Sequence, residues 1–163
     1  MEPDTLLQTV HDDLAPWVRA RRGLLSVAAD PYQFLEVLAE APQGWRAVLH
    51  WAGDESGGSH PLEGAFVDHE LHLGISANPG LTIAADVALF GPRAGNTPAI
   101  LRLVALARAH VRGLVLRTPE EDTEQYLHYR GCAPVVMPEG IPLRAYRLRF
   151  TVTAALTPVA YRY

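Results

Sequence analysis

The chain contains no lysine: all fourteen of its basic residues are arginine, which we read as GC-rich codon usage in the source genome. It contains one cysteine, Cys132, in 163 residues. A lone cysteine excludes an intrachain disulfide and a multi-cysteine metal site, and it suits synthesis in a reducing cytoplasm. No apolar run approaches the ~20 residues that span a bilayer, so no membrane partner is expected. The opening residues, Met1-Glu-Pro-Asp-Thr, are acidic, the wrong sign for the start of a signal peptide. Internal repeats and low-complexity segments are also missing. What remains is a chain 48% hydrophobic and 20% charged, the composition of a soluble globular protein. Its length fits one domain over residues 1–163, in which the tail 157–163 is a possible arm.

Charge is scarce in total, at net −4, but unevenly placed. Residues 1–80 carry twelve acids against four arginines, and residues 81–163 carry six acids against ten arginines. Two readings stay open. An acidic half and a basic half would steer subunits head to tail; alternatively, the fold interleaves the halves and the imbalance is scattered surface charge.

Periodicity supplies the elements. Leu6, Leu7, Val10, Leu14 and Val18 recur at helical spacing, which predicts a helix over about 4–18 that Pro16 ends or kinks. Asp4 or Thr5 is its expected cap, and Arg19, Arg21 and Arg22 solvate its end. Gly23–Ala29 reads as a short buried strand. Asp30-Pro31 then opens a second helix with Phe34, Leu35, Val37 and Leu38 inward. Trp45–Trp51 and Phe66–Ile75 alternate as strands, the second with Val67, Leu71, Leu73 and Ile75 on one face and His69 interrupting it. A polar loop over Gly53–Pro61 separates them. Leu81–Phe90 is strand or irregular, and Gly91–Asn96 is a loop. Thr97 and Pro98 start a third helix that runs to Gly113. Leu114–Arg117 is a strand, Pro119–Glu124 an acidic turn, Gln125–Arg130 a strand, and Gly131–Pro142 a connection.

The longest alternating stretch is last. Tyr146, Leu148, Phe150 and Val152 share one face, and Ala145, Arg147, Arg149, Thr151 and Thr153 share the other. At ~3.3 Å per residue, Leu143–Leu156 would reach ~45 Å, in a globule whose radius of gyration is ~15 Å. Such a strand must bend, bulge or leave the domain for a neighbour. The sum is α+β: a mixed, mostly antiparallel sheet with two or three helices packed on one face.

Side chains able to do chemistry are dispersed. Asp68, Glu70 and His72 share a strand face, but ligands at i and i+2 stand ~6.6 Å apart, too wide to share one ion unaided, so a solvated face is expected and no metal. Cys132 has no local partner that would activate it. Ser26, Ser56, Ser59 and Ser76 lie outside any nucleophile-elbow pattern, and neither His110 nor His128 has a carboxylate partner assignable from sequence. No catalytic residues and no cofactor are expected.

Two stretches resemble known families. Val87–Pro98 followed by Gln125–Pro134 is similar in order to the phosphate loop and tyrosine segment of GCN5-related N-acetyltransferases. Only Arg93 and Gly95 of that loop remain, at a different spacing, and Pro98 lacks a donor the phosphates would use. The resemblance that covers more of the chain begins at Tyr129-Arg-Gly-Cys-Ala-Pro-Val-Val-Met-Pro-Glu-Gly-Ile-Pro-Leu-Arg-Ala-Tyr-Arg-Leu-Arg-Phe150. It resembles the C-terminal signature of tail terminator (tail completion) proteins of tailed bacteriophages, loosely over about 23–156 and best over 129–153. Gly44-Trp45 opening a strand, the polar loop after Gly53, the strand at His69–Ile75 and the helix at 98–112 fall in the same order.

That resemblance implies a virion structural protein, made in the host cytoplasm and located in the tail. It implies a hexameric ring that caps the tail tube, stops its polymerisation and meets the head–tail connector, with DNA passing through the lumen. Function would be binding without catalysis. The candidate subunit or tube interface is Arg144, Arg147, Arg149, Thr151 and Thr153. An N-acetyltransferase-like enzyme and an unrelated α+β interaction domain are the alternatives.

Overall fold

Alternation in the sequence becomes pairing in the computed structural model, which describes residues 2–40, 44–56, 66–77, 100–118, 121–141 and 143–155. In chain order the elements are α1 (Pro3–Ala20), β1 (Leu24–Ala28), α2 (Pro31–Ala39), β2 (Trp45–Ser56), β3 (Phe66–Ala77), α3 (Ile100–Arg112), β4 (Val115–Thr118), β5 (Glu121–Tyr126), β6 (His128–Pro134) and β7 (Arg144–Ala155). β1, β2, β3, β7 and β6 form one sheet in that order, and β4 pairs with β5 in a small second sheet. β1 runs parallel to β2, with α2 as the crossover, and the other pairings are antiparallel. The fold is α+β, with a mixed, mostly antiparallel sheet.

The sheet is buried unequally on its two faces. Trp45, Ala47 and Leu49 of β2, Leu71, Leu73 and Ile75 of β3, and Leu148, Phe150 and Val152 of β7 form one apolar layer. Leu6, Val10, Leu14 and Val18 of α1 close over it, together with Ile100, Leu103, Val104, Ala107 and Val111 of α3. α1 packs on β1 and β2, and α3 on β3, β7 and β6. Two of the three described helices therefore share a face. α2 covers the other, where Phe34 and Leu38 pack with Ala28 and Val48. It comes close because β3 has glycine beneath it: a Cβ on Gly74 would stand 2.7 Å from Phe34 Cζ and 2.8 Å from Leu38 Cδ1.

Several expectations change. Pro16 does not end α1, which continues to Ala20; the buried stripe either side of it outweighs one missing N–H bond. The helix starts at Pro3, and its N-cap, Glu2, makes no side-chain capping bond. β1 is an edge strand with Leu24 and Val27 exposed, not a buried one. Leu35 points outward from α2. The acidic stretch after Thr118 is not all turn: Glu121–Tyr126 is a strand returning along β4, and β6 follows after Leu127. β7 stays in its own sheet over the whole of Arg144–Ala155, because β3 matches it residue for residue. Leu81–Phe90, the loop 91–96, the Thr97–Pro98 cap, residues 57–61 and the tail 157–163 lie outside the described residues.

Candidate functional site

Because α2 lies over the β1–β3 half of its face, no helix among the described residues covers the side chains of β7 that alternate onto that face. Here a polar network crosses three strands. Arg130 Nε of β6 donates to Thr151 Oγ1 at 2.8 Å. Arg149 Nε donates to Glu70 Oε1 of β3 at 2.6 Å, and His72 Nε2 donates to the same oxygen at 2.9 Å. Thr153 Oγ1 donates to Asp68 Oδ1. These links follow from the register, which sets Asp68 opposite Thr153, Glu70 opposite Thr151 and His72 opposite Arg149.

The charges are tuned by that arrangement. The hydrogen bond from Arg149 is the main reason the Glu70 carboxyl titrates below its ordinary range; burial opposes it, and His72 assists. Burial against the underside of α2 pushes the His72 imidazole below its ordinary pKa, and Glu70 pulls the other way. His72 lies beside Phe34 and His50, with ring centroids 6.3 Å and 6.0 Å away. Glu70 is thus engaged by an arginine and a histidine, and among the described residues no group of His, Cys, Asp and Glu is placed to hold a metal ion.

Four of the five expected interface residues, Arg147, Arg149, Thr151 and Thr153, share this face. Arg144 does not. It stands exposed at the start of β7, and alternation puts it on the side of Tyr146 and Leu148. It borders a cleft of about 520 Å³ formed with Pro134, Val136, Met137 and Ile141. A second cleft, of about 650 Å³, lies at the start of β6 and is lined by Arg112, Tyr126, Leu127, His128, Tyr129, Arg130 and Thr153. Two guanidinium groups, an imidazole and two tyrosines suit it to carboxylates or other anions. Arg112 stands at the end of α3, and only the return of β6 past that helix end brings it to Arg130.

Sequence reading also missed a polar contact across the other layer. His110 Nε2 of α3 donates to Asp13 Oδ2 of α1 at 2.6 Å, and its ring stacks on Trp17 at 5.1 Å. Trp17 in turn meets Trp45 edge-on at 6.0 Å and carries the Arg21 guanidinium 4.3 Å above its ring. The two helices are fastened over the sheet by this cluster. Cys132 is exposed on β6; the burial its sulfur does have pushes the thiol pKa up, partly countered by Arg108, the reverse of an activated nucleophile.

The segment Val87–Pro98, offered as a phosphate loop, lies outside the described residues, while Gln125–Pro134 forms the end of β5 and the edge strand β6. No described helix is long and apolar enough to cross a membrane. No protein-family model matches the chain, and no curated protein matches it significantly.

Proposed function

We propose that the protein is a ring-forming structural subunit of the tail-terminator type, acting by binding: it caps a tail tube, limits its growth and presents its other side to a connector. The observation that carries this reading is the polar face of β3, β7 and β6 that no described helix covers. Arg149, Glu70, Thr151, Thr153 and Asp68 are held there by cross-strand bonds on a strand paired along both edges. Side chains fixed in this way lose little further freedom on contact, which favours a broad, pre-organised protein interface. In the reading proposed, this face meets the tube or the connector. Arginine is suited to such contacts, since it pairs with carboxylates and stacks on aromatic rings. The order of elements along the chain supports the same reading through the resemblance of residues 129–153.

Light scattering tests it directly. The expected solution mass is about six times the 17.8 kDa of one chain, and the protein should sediment with purified tail tubes. A strictly monomeric protein that also leaves tubes unbound would sink the proposal. An acetyltransferase would instead show a rise in melting temperature with acetyl-CoA, worth ~2.7 kcal/mol at a hundred times the dissociation constant.

A further inference from the structure

We propose that copies of this chain associate head to tail, with the β1 edge of one against the β6 edge of the next; the inference rests on the ring-forming reading and specifies its contact. The strand order answers whether the strands of the charged halves interleave. Among the described strands of the main sheet they do not. β1, β2 and β3 lie side by side, β7 and β6 follow, and the two halves meet along β3 and β7. The described strands of the acidic half thus end at one edge of the sheet and those of the arginine-rich half at the other.

Both edges carry apolar side chains left in solvent. Leu24 and Val27 of β1 are 55% and 44% exposed, and Tyr32 and Leu35 on the outer side of α2 are 83% and 44% exposed. Tyr126 and Val136, which flank β6, are also exposed; among the described large hydrophobics only Leu106 is exposed elsewhere. β1, Leu24-Leu-Ser-Val-Ala28, has no charge, no proline and no bulge, the devices that keep an edge strand from pairing. β6 has all three: Arg130, Pro134 and the register shift between Tyr129 and Gly131. The β6 edge is guarded against main-chain pairing and the β1 edge is not, so the two edges are unlike surfaces and a contact between them runs through side chains.

Charge then chooses the partner. β1 and β6 run in opposite directions. Repeating the chain sideways therefore sets the end of β1 beside the start of β6. α1 turns into β1 within three residues, so its start lies toward the end of β1, and Glu2, Asp4 and Asp30 are exposed there. The start of β6 offers Arg112, Arg130 and His128 around the 650 Å³ cleft. A contact repeated around a ring is heterologous, and this one sets those acids beside the arginines.

Two folded variants test this, each checked by circular dichroism. The first, Leu24→Lys with Val27→Lys, blocks the β1 edge; the second, Arg112→Glu with Arg130→Glu, reverses the β6 edge. Tyr32→Lys with Leu35→Lys replaces the first if that one does not fold. Each variant alone should run at the mass of one chain. Mixed in equal amounts, they should form a species of two chains and nothing larger, since each supplies one intact surface. If the variants assemble as the parent does, the edges are not the contact, although a ring formed elsewhere survives. A mixture that stays monomeric refutes the head-to-tail pairing. A parent that is itself monomeric at every concentration removes the ring reading and this contact together.

Discussion

Gly74→Ala isolates the step that positions α2, and its effect can be worked from the structure. The new Cβ would lie 2.7 Å from Phe34 Cζ, 2.8 Å from Leu38 Cδ1 and 2.9 Å from Leu38 Cδ2. Real carbon neighbours stand 3.5–4.0 Å apart at best separation. Both residues are buried, and Leu38 is fully so, leaving α2 to lift or both side chains to leave their rotamers. Overpacking of this kind destabilises by ~1–3 kcal/mol. Removing a glycine from the unfolded chain returns ~0.4–1 kcal/mol, so the net loss should reach up to ~2.6 kcal/mol. At ~2–4 °C per kcal/mol for a chain this size, the melting temperature should fall by up to about 10 °C. Leu38→Ala removes two of the three clashing atoms and gives the Phe34 ring room to tilt. Alone it should destabilise by ~2–5 kcal/mol, but in its background Gly74→Ala should become neutral or stabilising. Thermal unfolding of the four proteins closes this cycle. A single Gly74→Ala variant that melts at or above the parent temperature would refute the close approach of α2.

Three further outcomes are expected. Glu70 and His72 both have folded-state pKa values below their ordinary 4.5 and 6.5, so the unfolded chain binds protons first and stability falls on acidification. The His72 contribution is complete above pH 6.5 and is lost as pH drops through its folded value, and that of Glu70 is lost below 4.5; Glu70→Gln and His72→Gln should flatten the respective parts of a urea-melt pH series, and an unchanged series would reject the coupling. Asp30 Oδ1 accepts from the amides of Tyr32 and Gln33 at 2.8 Å and 2.9 Å, so Asp30→Ala should lower stability by ~0.5–2 kcal/mol in chemical denaturation, and no loss would mean that the cap is not formed. Reversing Arg147 and Arg149 to Glu should weaken tube binding, and because Arg149→Glu also faces Glu70, adding Glu70→Arg should restore stability without restoring binding; tube sedimentation at parental levels in the double variant would reject the polar-face contact.

Legibility in the sequence followed the range of the forces involved. The three described helices and most strands were readable because periods of 3.6 and 2 are fixed by local backbone geometry. Asp30-Pro31 announced α2 by the same local logic, and the alternation of Tyr146 to Val152 identified the buried face of β7 correctly. Where local signals competed with packing, packing won: Pro16 sits inside α1 because Leu14 and Val18 are buried on either side of it. The acidic stretch after Thr118 reads locally as a turn, yet Glu121–Tyr126 returns along β4 as a strand.

For the candidate site, the sequence could name side chains but not their neighbours. It grouped Arg147, Arg149, Thr151 and Thr153 on one face by parity alone, and parity should equally have separated Arg144 from them. Nothing local joined Arg149 to Glu70 across 79 positions, or His110 to Asp13 across 97. The sequence by itself determined which residues turn inward, where the charges fall along the chain, and that the protein is α+β. Only the tertiary structure decided that α2 covers the face opposite α1 and α3, and that β7 lies inside the sheet and β1 and β6 at its edges. Strand order is set by long-range pairing and shared burial, which leave no periodic trace in the chain.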